Sequence, residues 1–247
     1  MIGGDGTLHE VMTALIEAHQ VQPIPVAYIP AGTGNDFARG YGISTNPSQA
    51  LHQILHNDRV HTINVGTFTN GDHHGIFINN FGIGFDAAIV HQTNASKMKK
   101  FLNHHHLGDM AYISKAVGVL LHQPSFDVKV NVDSHHFHYP HGFLVISSNH
   151  PYIGGGIKVV PDQNVHQAEL ELVVLEKRNQ FTLLGSIILF ALGKITRSRF
   201  AHVFKGSAID YQVFPVQYGQ IDGEELAPQT FNLHLACTSY PLWEEPL

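Results

Sequence analysis

The chain has little cysteine, few cations and no long apolar run. Of 247 residues only Cys237 carries a thiol, so no intrachain disulfide can form and a reducing cytosol is the expected setting. Lys and Arg number 14 against 20 Asp and Glu, and no Lys/Arg-rich run occurs beyond Lys97, Lys99 and Lys100. With a net charge of −6, the electrostatic footprint of a nucleic-acid binder is missing. No basic start followed by an apolar stretch and a cleavage site marks a secretory leader. The most apolar stretch, Phe181 to Ile195, is broken by Gly185, Ser186 and Gly193. It falls short of the ~20 residues a membrane-spanning helix requires, which leaves a packed helix or an interfacial one.

What is present suits a globular chain. A hydrophobic content of 43% in 27.3 kDa fills one large domain or two smaller ones. Histidine is over-represented, with 20 copies including the triplet His104 to His106 and the pairs His73-His74 and His135-His136. Neighbours in a run do not converge on one metal as spaced ligands do, so solvated polar loops are expected there.

The texture changes along the chain. Residues 1–58 alternate β and α signals: a glycine-rich start, helical spacing of Val11, Met12, Leu15 and Ile16, a short strand from Val26 to Ile29, and a helix opened by Asn46-Pro47-Ser48. Residues 59–236 are β-rich, with strands expected at Val60 to Phe68, Gly75 to Asn79, Phe126 to Val132, Phe143 to Ser147, Leu170 to Leu175, Ala208 to Phe214 and Phe231 to Ala236. Helical insertions are expected over Ser96 to His122 and Gln180 to Lys194. The expected fold is a shortened parallel α/β nucleotide-binding domain followed by an antiparallel β-sandwich, with residues 237–247 returning to the first domain.

Two glycine clusters carry the strongest chemical signal. Gly3-Gly4-Asp5-Gly6-Thr7 precedes a helix, where backbone amides, the helix dipole and the Thr7 hydroxyl form a phosphate cradle. It is not a GxxxxGK[ST] P-loop, and no lysine stands beside it. About 25 residues later Pro30-Ala31-Gly32-Thr33-Gly34-Asn35-Asp36-Phe37-Ala38-Arg39 repeats the strand-to-helix arrangement, with Asn35 or Asp36 suited to capping the helix. Two such turns at the carboxyl ends of neighbouring parallel strands face one crevice. Near the end, Asp222-Gly223-Glu224 reads alone as a hairpin turn.

Together GGDGT, PAGTGNDFAR, DGE and the glycine-rich Asn79 to Asp86 segment resemble the catalytic region of diacylglycerol kinases, sphingosine kinases and their bacterial soluble lipid-kinase relatives. The resemblance runs over essentially the whole chain. It implies ATP with magnesium as phosphoryl donor and a lipid hydroxyl, first of all that of diacylglycerol, as acceptor. It also implies nucleotide contacts from Gly3, Gly4, Asp5, Gly6, Thr7, Gly32, Thr33, Asn35 and Asp36. Acid-base work falls to Asp222 and Glu224, which, two apart, are expected on one side of an extended segment, one taking the hydroxyl proton and the other orienting it or the metal. A cytoplasmic enzyme, with room for peripheral association at the inner membrane face, is what the resemblance implies.

The chain departs from that pattern in two places. Relatives carry a stretch of about sixty residues of βαβα units before GGDGT, whereas here only Met1 and Ile2 precede Gly3. A sheet so shortened would expose an edge, which predicts a homo-oligomer covering it. Gln167 stands where many relatives place an Asp that holds a structural magnesium, and Asn64 where bacterial relatives often have Asp. No tightly bound metal is expected there, although the carbonyls of Asn164 and Glu169 remain free to turn towards an ion. The alternatives are a lipid- or nucleotide-binding remnant without catalysis and, less favoured, NAD kinase, which shares GGDGT but not PAGTGNDFAR.

Overall fold

The computed structural model describes residues 1–95, 122–160, 163 and 165–243. The first helical insertion, expected over Ser96 to His122, lies outside them except for its last residue.

The chain opens on β1 (Ile2–Gly3), paired in parallel with β2 (Ile29–Pro30). Between them runs α1 (Asp5–Glu17), which buries Leu8 and Met12, four residues apart on one face. Next come α2 (Asp36–Tyr41) and α3 (Pro47–His56). The Asn46 side chain caps α3, accepting from the Ser48 and Gln49 amides at 3.0 and 3.3 Å, and Pro47 fills the first turn. The strand expected from Val26 is reduced to a single parallel bridge between Val26 and Leu242, with regular pairing starting only at Ile29. Pro23 and Pro25 just upstream have no amide to donate.

The β-rich part begins with β3 (His61–Asn70), β4 (His73–Phe77) and β5 (Asn80–Gly84), followed by α4 (Phe85–Ala95). Then come β6 (Phe126–Val132), β7 (His135–Ser148), the short pair β8 (Tyr152–Ile153) and β9 (Ile157–Lys158), and β10 (Leu170–Glu176). The chain continues through α5 (Gln180–Ala191), β11 (Ala201–Gly206), β12 (Ile209–Ile221) and β13 (Glu224–Leu242). The main sheet is antiparallel in the order β11-β10-β7-β5-β12-β13-β3-β4, with β6 pairing both β7 and β12. Because β5 also pairs both β7 and β12, these four strands close on each other around a core of Phe81, Phe126, Val128, Val130, Val145, Tyr211 and Phe231.

The residue pattern explains the layers. In β6, Phe126, Val128, Val130 and Val132 are buried while Lys129 and Asn131 are exposed, a period of two that faces one side inward. In β10 every residue is buried: Leu170, Leu172 and Val174 join the enclosed core, and Val173 and Leu175 pack on the other face with Leu183 of α5. A third cluster joins Leu8, Met12, Tyr28 and Phe37 to Ile63, Val65 and Ile78 and to Tyr240 and Leu242. The end of β13 is tied to the α/β part by two backbone bonds, Val26 N–H to Pro241 O at 3.2 Å and Trp243 N–H to Val26 O at 2.8 Å. Among the described residues no helix is long and apolar enough to cross a membrane.

Candidate active site

The two glycine turns meet backbone to backbone. A Cβ on Gly32 would lie 2.6 Å from Gly4 Cα, so only glycine lets the turns approach this closely. Asp5 fastens them: its two carboxylate oxygens accept from the Asp36 and Phe37 amides, each at 3.2 Å. The cap of α2 is therefore an acid from the first motif. The expectation that Asn35 or Asp36 caps this helix is not met. Asn35 sits in the left-handed region at φ 51°, and its amide closes on Gly32, donating to Gly32 O at 2.8 Å and accepting from Gly32 N–H at 2.9 Å. Asp36 instead reaches across to accept from Gly155 N–H at 2.8 Å. Burial raises the Asp36 pKa, and the nearby Asp5 charge adds to the rise.

The DGE segment is a hairpin turn and an anchor at once. Asp222 and Gly223 both have positive φ, 50° and 88°, and join Ile221 to its partner Glu224. The turn geometry overrides strand alternation, so the expected placement of Asp222 and Glu224 on one side of an extended segment does not occur. The Asp222 side chain is fully buried and Glu224 is exposed. Asp222 accepts four hydrogen bonds: from the Ile78, Asn79 and Asn80 amides at 2.8, 2.8 and 2.9 Å, and from His9 Nδ1 at 2.8 Å. Four donors fill the lone-pair positions of a carboxylate, which suits an orienting role rather than proton abstraction. Glu224 stands on the rim, with Oε1 4.0 Å from where a Cβ on Gly6 would lie.

Between the glycine turns and the β-rich part lies a cleft of about 650 Å³. Its lining is polar at Asp5, Asp36, Asp86 and Asp222 and apolar at Phe85, Val90, Ile153, Ile157 and Phe190, of which Phe85, Ile153, Ile157 and Phe190 belong to one hydrophobic cluster. Of the residues expected at the site, Asp5, Thr33, Asp36 and Asp222 line this cleft. Gly4 and Gly32 sit behind it as the turn-to-turn contact, and Thr7 folds back over Gly3.

Residues to which the sequence alone assigns no role complete the site. Asp86, in the first turn of α4, has its pKa pushed up to about 6 by burial, against the hydrogen bond from Gln220. Its Oδ2 accepts from Gln220 Nε2 at 2.8 Å, whereas Oδ1 is buried without a partner. Gln220 also donates to Asn80 Oδ1 at 2.6 Å and accepts from Gly223 N–H at 2.7 Å, linking Asp86 to the Asp222 anchor. The turn Gly154-Gly155-Gly156, all at positive φ, forms the wall facing Gly34. Behind it His150 is held neutral, burial lowering its pKa to about 4.

The position where the resemblance implied a structural magnesium does not fit a divalent cation in this chain. Gln167 Oε1 accepts from Lys205 Nζ at 3.0 Å, and the same ammonium lies 3.3 Å from Glu169 and 3.9 Å from Glu171. A fixed cation already occupies the oxygen-rich spot. The Glu169 carbonyl, expected to be free to turn towards an ion, accepts from the buried Gln163 side chain. Asn164 lies outside the described residues. Asn64 is buried and donates to Asn149 Oδ1 at 2.7 Å, an amide pair in place of a carboxylate.

Comparison with known proteins agrees with this architecture. Residues 1–68 match the diacylglycerol kinase catalytic domain, and residues 80–238 match the YegS C-terminal NAD kinase beta sandwich-like domain. A candidate lipid kinase of Bacillus subtilis, YtlR, is 25% identical over 94% of this chain and 75% of its own length. A candidate lipid kinase of Staphylococcus aureus is 26% identical over 76% of this chain but only 56% of its own length. The crystal structure of a candidate diacylglycerol kinase from Bacillus anthracis superposes with a TM-score of 0.70 at 21% identity, over 99% of this chain and 77% of that one, and so shares the fold. With the domain match extending over most of its length, the chain belongs to the family that joins a diacylglycerol kinase catalytic domain to a YegS-type β-sandwich.

Proposed function

We propose that the protein transfers the γ-phosphate of ATP to the hydroxyl of a lipid, diacylglycerol being the first candidate acceptor. The observation that carries this reading is the lining of the cleft, which brings glycine turns and four aspartates together with Phe85, Val90, Ile153, Ile157 and Phe190. A polyphosphate suits the first set of residues and an acyl chain the second. Magnesium, when bound with ATP, would neutralise the phosphates, with Asp5 and Asp36 the nearest acids to the glycine turns.

The remaining work belongs to the chain's own groups. Phosphoryl transfer needs positioning and charge placement more than covalent chemistry. Asp222 fixes the Ile78 to Asn80 backbone, and Gln220 carries that position to Asp86. Asp86, with one uncommitted oxygen and a pKa raised to about 6, is the group suited to take the acceptor's proton near neutrality. Glu224, on the rim beside Gly6, is the second candidate for that role.

The test is transfer of labelled γ-phosphate to diacylglycerol in detergent micelles, with nucleotide binding measured in parallel. Labelled phosphatidic acid supports the reading. ATP binding without transfer to any lipid hydroxyl favours a non-catalytic nucleotide-binding protein. A cytoplasmic location belongs to the same proposal. So does self-association over the exposed Ile2, Val21 and Ile24, against which a monodisperse monomer in light scattering would count.

A further inference from the structure

One side of α5 is buried and the other is bare. Leu183 and Ser186 face inward, and Ser186 Oγ bonds Ser198 Oγ at 2.8 Å. Phe181, Leu184, Ile188 and Leu192 are 89, 48, 52 and 62% exposed. At about 100° per residue these four positions share a single stripe opposite Leu183. An ordinary surface helix carries polar residues on that face, so four large apolar groups in a row mark a contact surface.

The charge around the helix names the kind of contact. From residue 177 to residue 209 there is no Asp or Glu, yet the segment holds six of the 14 Lys and Arg of a chain whose net charge is −6. Four of the six have partners: Lys177 bonds the Gln123 carbonyl, Arg178 pairs with Glu176, Lys205 pairs with Glu169, and Arg199 lies over the Phe200 ring at 4.7 Å, a contact that leaves its charge exposed. Lys194, Arg197 and Arg199 are exposed just past the helix C-terminus. The inward side of the same helix carries Phe190, which lines the cleft and packs in one hydrophobic cluster with Ile153 and Ile157. The helix is thus the partition between the cleft and the bare surface.

We propose that this face of α5 docks on an anionic lipid bilayer, with Phe181, Leu184, Ile188 and Leu192 entering the acyl boundary and Lys194, Arg197 and Arg199 on the lipid phosphates. A second copy of the chain is the poorer occupant, because residues 177–209 would bring it the same cations and no acid to meet them. The inference deepens the lipid-kinase reading, since a bilayer held there presents its lipids across one helix from the cleft that Phe190 lines.

The test is co-sedimentation of the purified chain, without nucleotide, with vesicles of phosphatidylcholine alone or mixed equally with phosphatidylglycerol. Binding is expected to the mixed vesicles and to weaken as salt is raised. It should fall about tenfold in Phe181→Ser/Ile188→Ser and again in Lys194→Gln/Arg197→Gln/Arg199→Gln, with circular dichroism confirming that both variants fold. No binding, or binding indifferent to both variants, overturns the proposal. So does light scattering in which the apolar variant turns a dimer into a monomer, for the face would then join two copies. Because no turnover is measured, docking without phosphate transfer fails the kinase reading alone. Transfer to a dispersed short-chain diacylglycerol without vesicle binding fails this one alone.

Discussion

His9 Nδ1 on α1 lies 2.8 Å from Asp222 Oδ2 at the β12–β13 turn, a side-chain bond that ties the glycine-motif helix to the β-rich part. Burial works against a charged His9, but the Asp222 hydrogen bond and the charges of Asp222, Glu224 and Glu10 outweigh it and raise the pKa above 6.5. A raised folded pKa on a base means that the folded form holds the proton more tightly. The stabilisation is therefore complete below the unfolded pKa of 6.5 and is lost as pH climbs through the folded value. Melting curves of the protein and of His9→Ala should diverge most below that pH and converge in alkaline buffer. A constant gap across the range would show that proton binding has no part in the tie.

Removing the anchor itself should cost far more than removing His9. Asp222→Ala leaves the Ile78, Asn79 and Asn80 amides without an acceptor in a buried corner. With ~1 kcal/mol or more for each unsatisfied donor, a loss of about 3 kcal/mol is expected. Asp222→Asn, which keeps one acceptor oxygen, should fall between the two by denaturant melting. A loss of activity in Asp222→Ala with no loss of stability would instead assign Asp222 a direct part in the chemistry.

Asp86 titrates in the opposite sense. Its folded pKa of about 6 exceeds the usual 3.8, so the folded state prefers the protonated acid. Stability attributable to this residue is present at low pH and declines as pH rises through about 6, leaving a penalty of about 3 kcal/mol at neutrality. Asp86→Asn keeps an acceptor for Gln220 and cannot ionise. The variant should melt higher than the parent at pH 7.5 and equally at pH 4, while phosphoryl transfer falls by about two orders of magnitude, as for loss of a general base. Glu224→Gln serves as the comparison: if it loses the activity and Asp86→Asn does not, the proton role belongs on the rim.

How much of this was legible in sequence depended on distance along the chain. The glycine turns were visible because each is local, a few residues that only glycine lets bend and approach. The contact between Gly4 and Gly32, and the reach of Asp5 to the α2 amides, join positions about thirty apart that only the parallel pairing of β1 and β2 brings together. Asp86, read only as the end of a glycine-rich segment, and His9 gave no local sign of their roles, since burial and a partner more than 130 residues away give each its role. β13 was foreseen only at Phe231 to Ala236, where one face alternates into the core. Its polar start at Glu224 is strand through pairing with Ile221 across the turn.

The turn-to-turn contact makes a sharp prediction about Gly32. A methyl there would lie 2.6 Å from Gly4 Cα and 2.9 Å from Asn35 Oδ1, and backbone cannot move aside as a flexible side chain can. Gly32→Ala should lose about 1–3 kcal/mol and weaken nucleotide binding by spreading the two turns. Gly185→Ala, at a helical glycine with nothing within 4 Å, is the control and should be neutral or slightly stabilising. Equal losses in both would mean that the close approach does not matter.

Lys205 tests whether an ammonium has taken over from a metal. Its pairs with Glu169 and Glu171 are partly exposed, so Lys205→Met alone should cost only about 1 kcal/mol. The parent should melt at the same temperature in magnesium and in chelator, because the cation is already covalently present. In the double variant Gln167→Asp/Lys205→Ala the oxygens of residue 167, Glu169 and Glu171 are left without a counter-charge. Millimolar magnesium should then raise the melting temperature by a few degrees, as expected for a ligand that binds only the folded form. If the double variant is as indifferent to magnesium as the parent, the neighbouring amides Asn64 and Gln163, rather than the ammonium, keep the ion out.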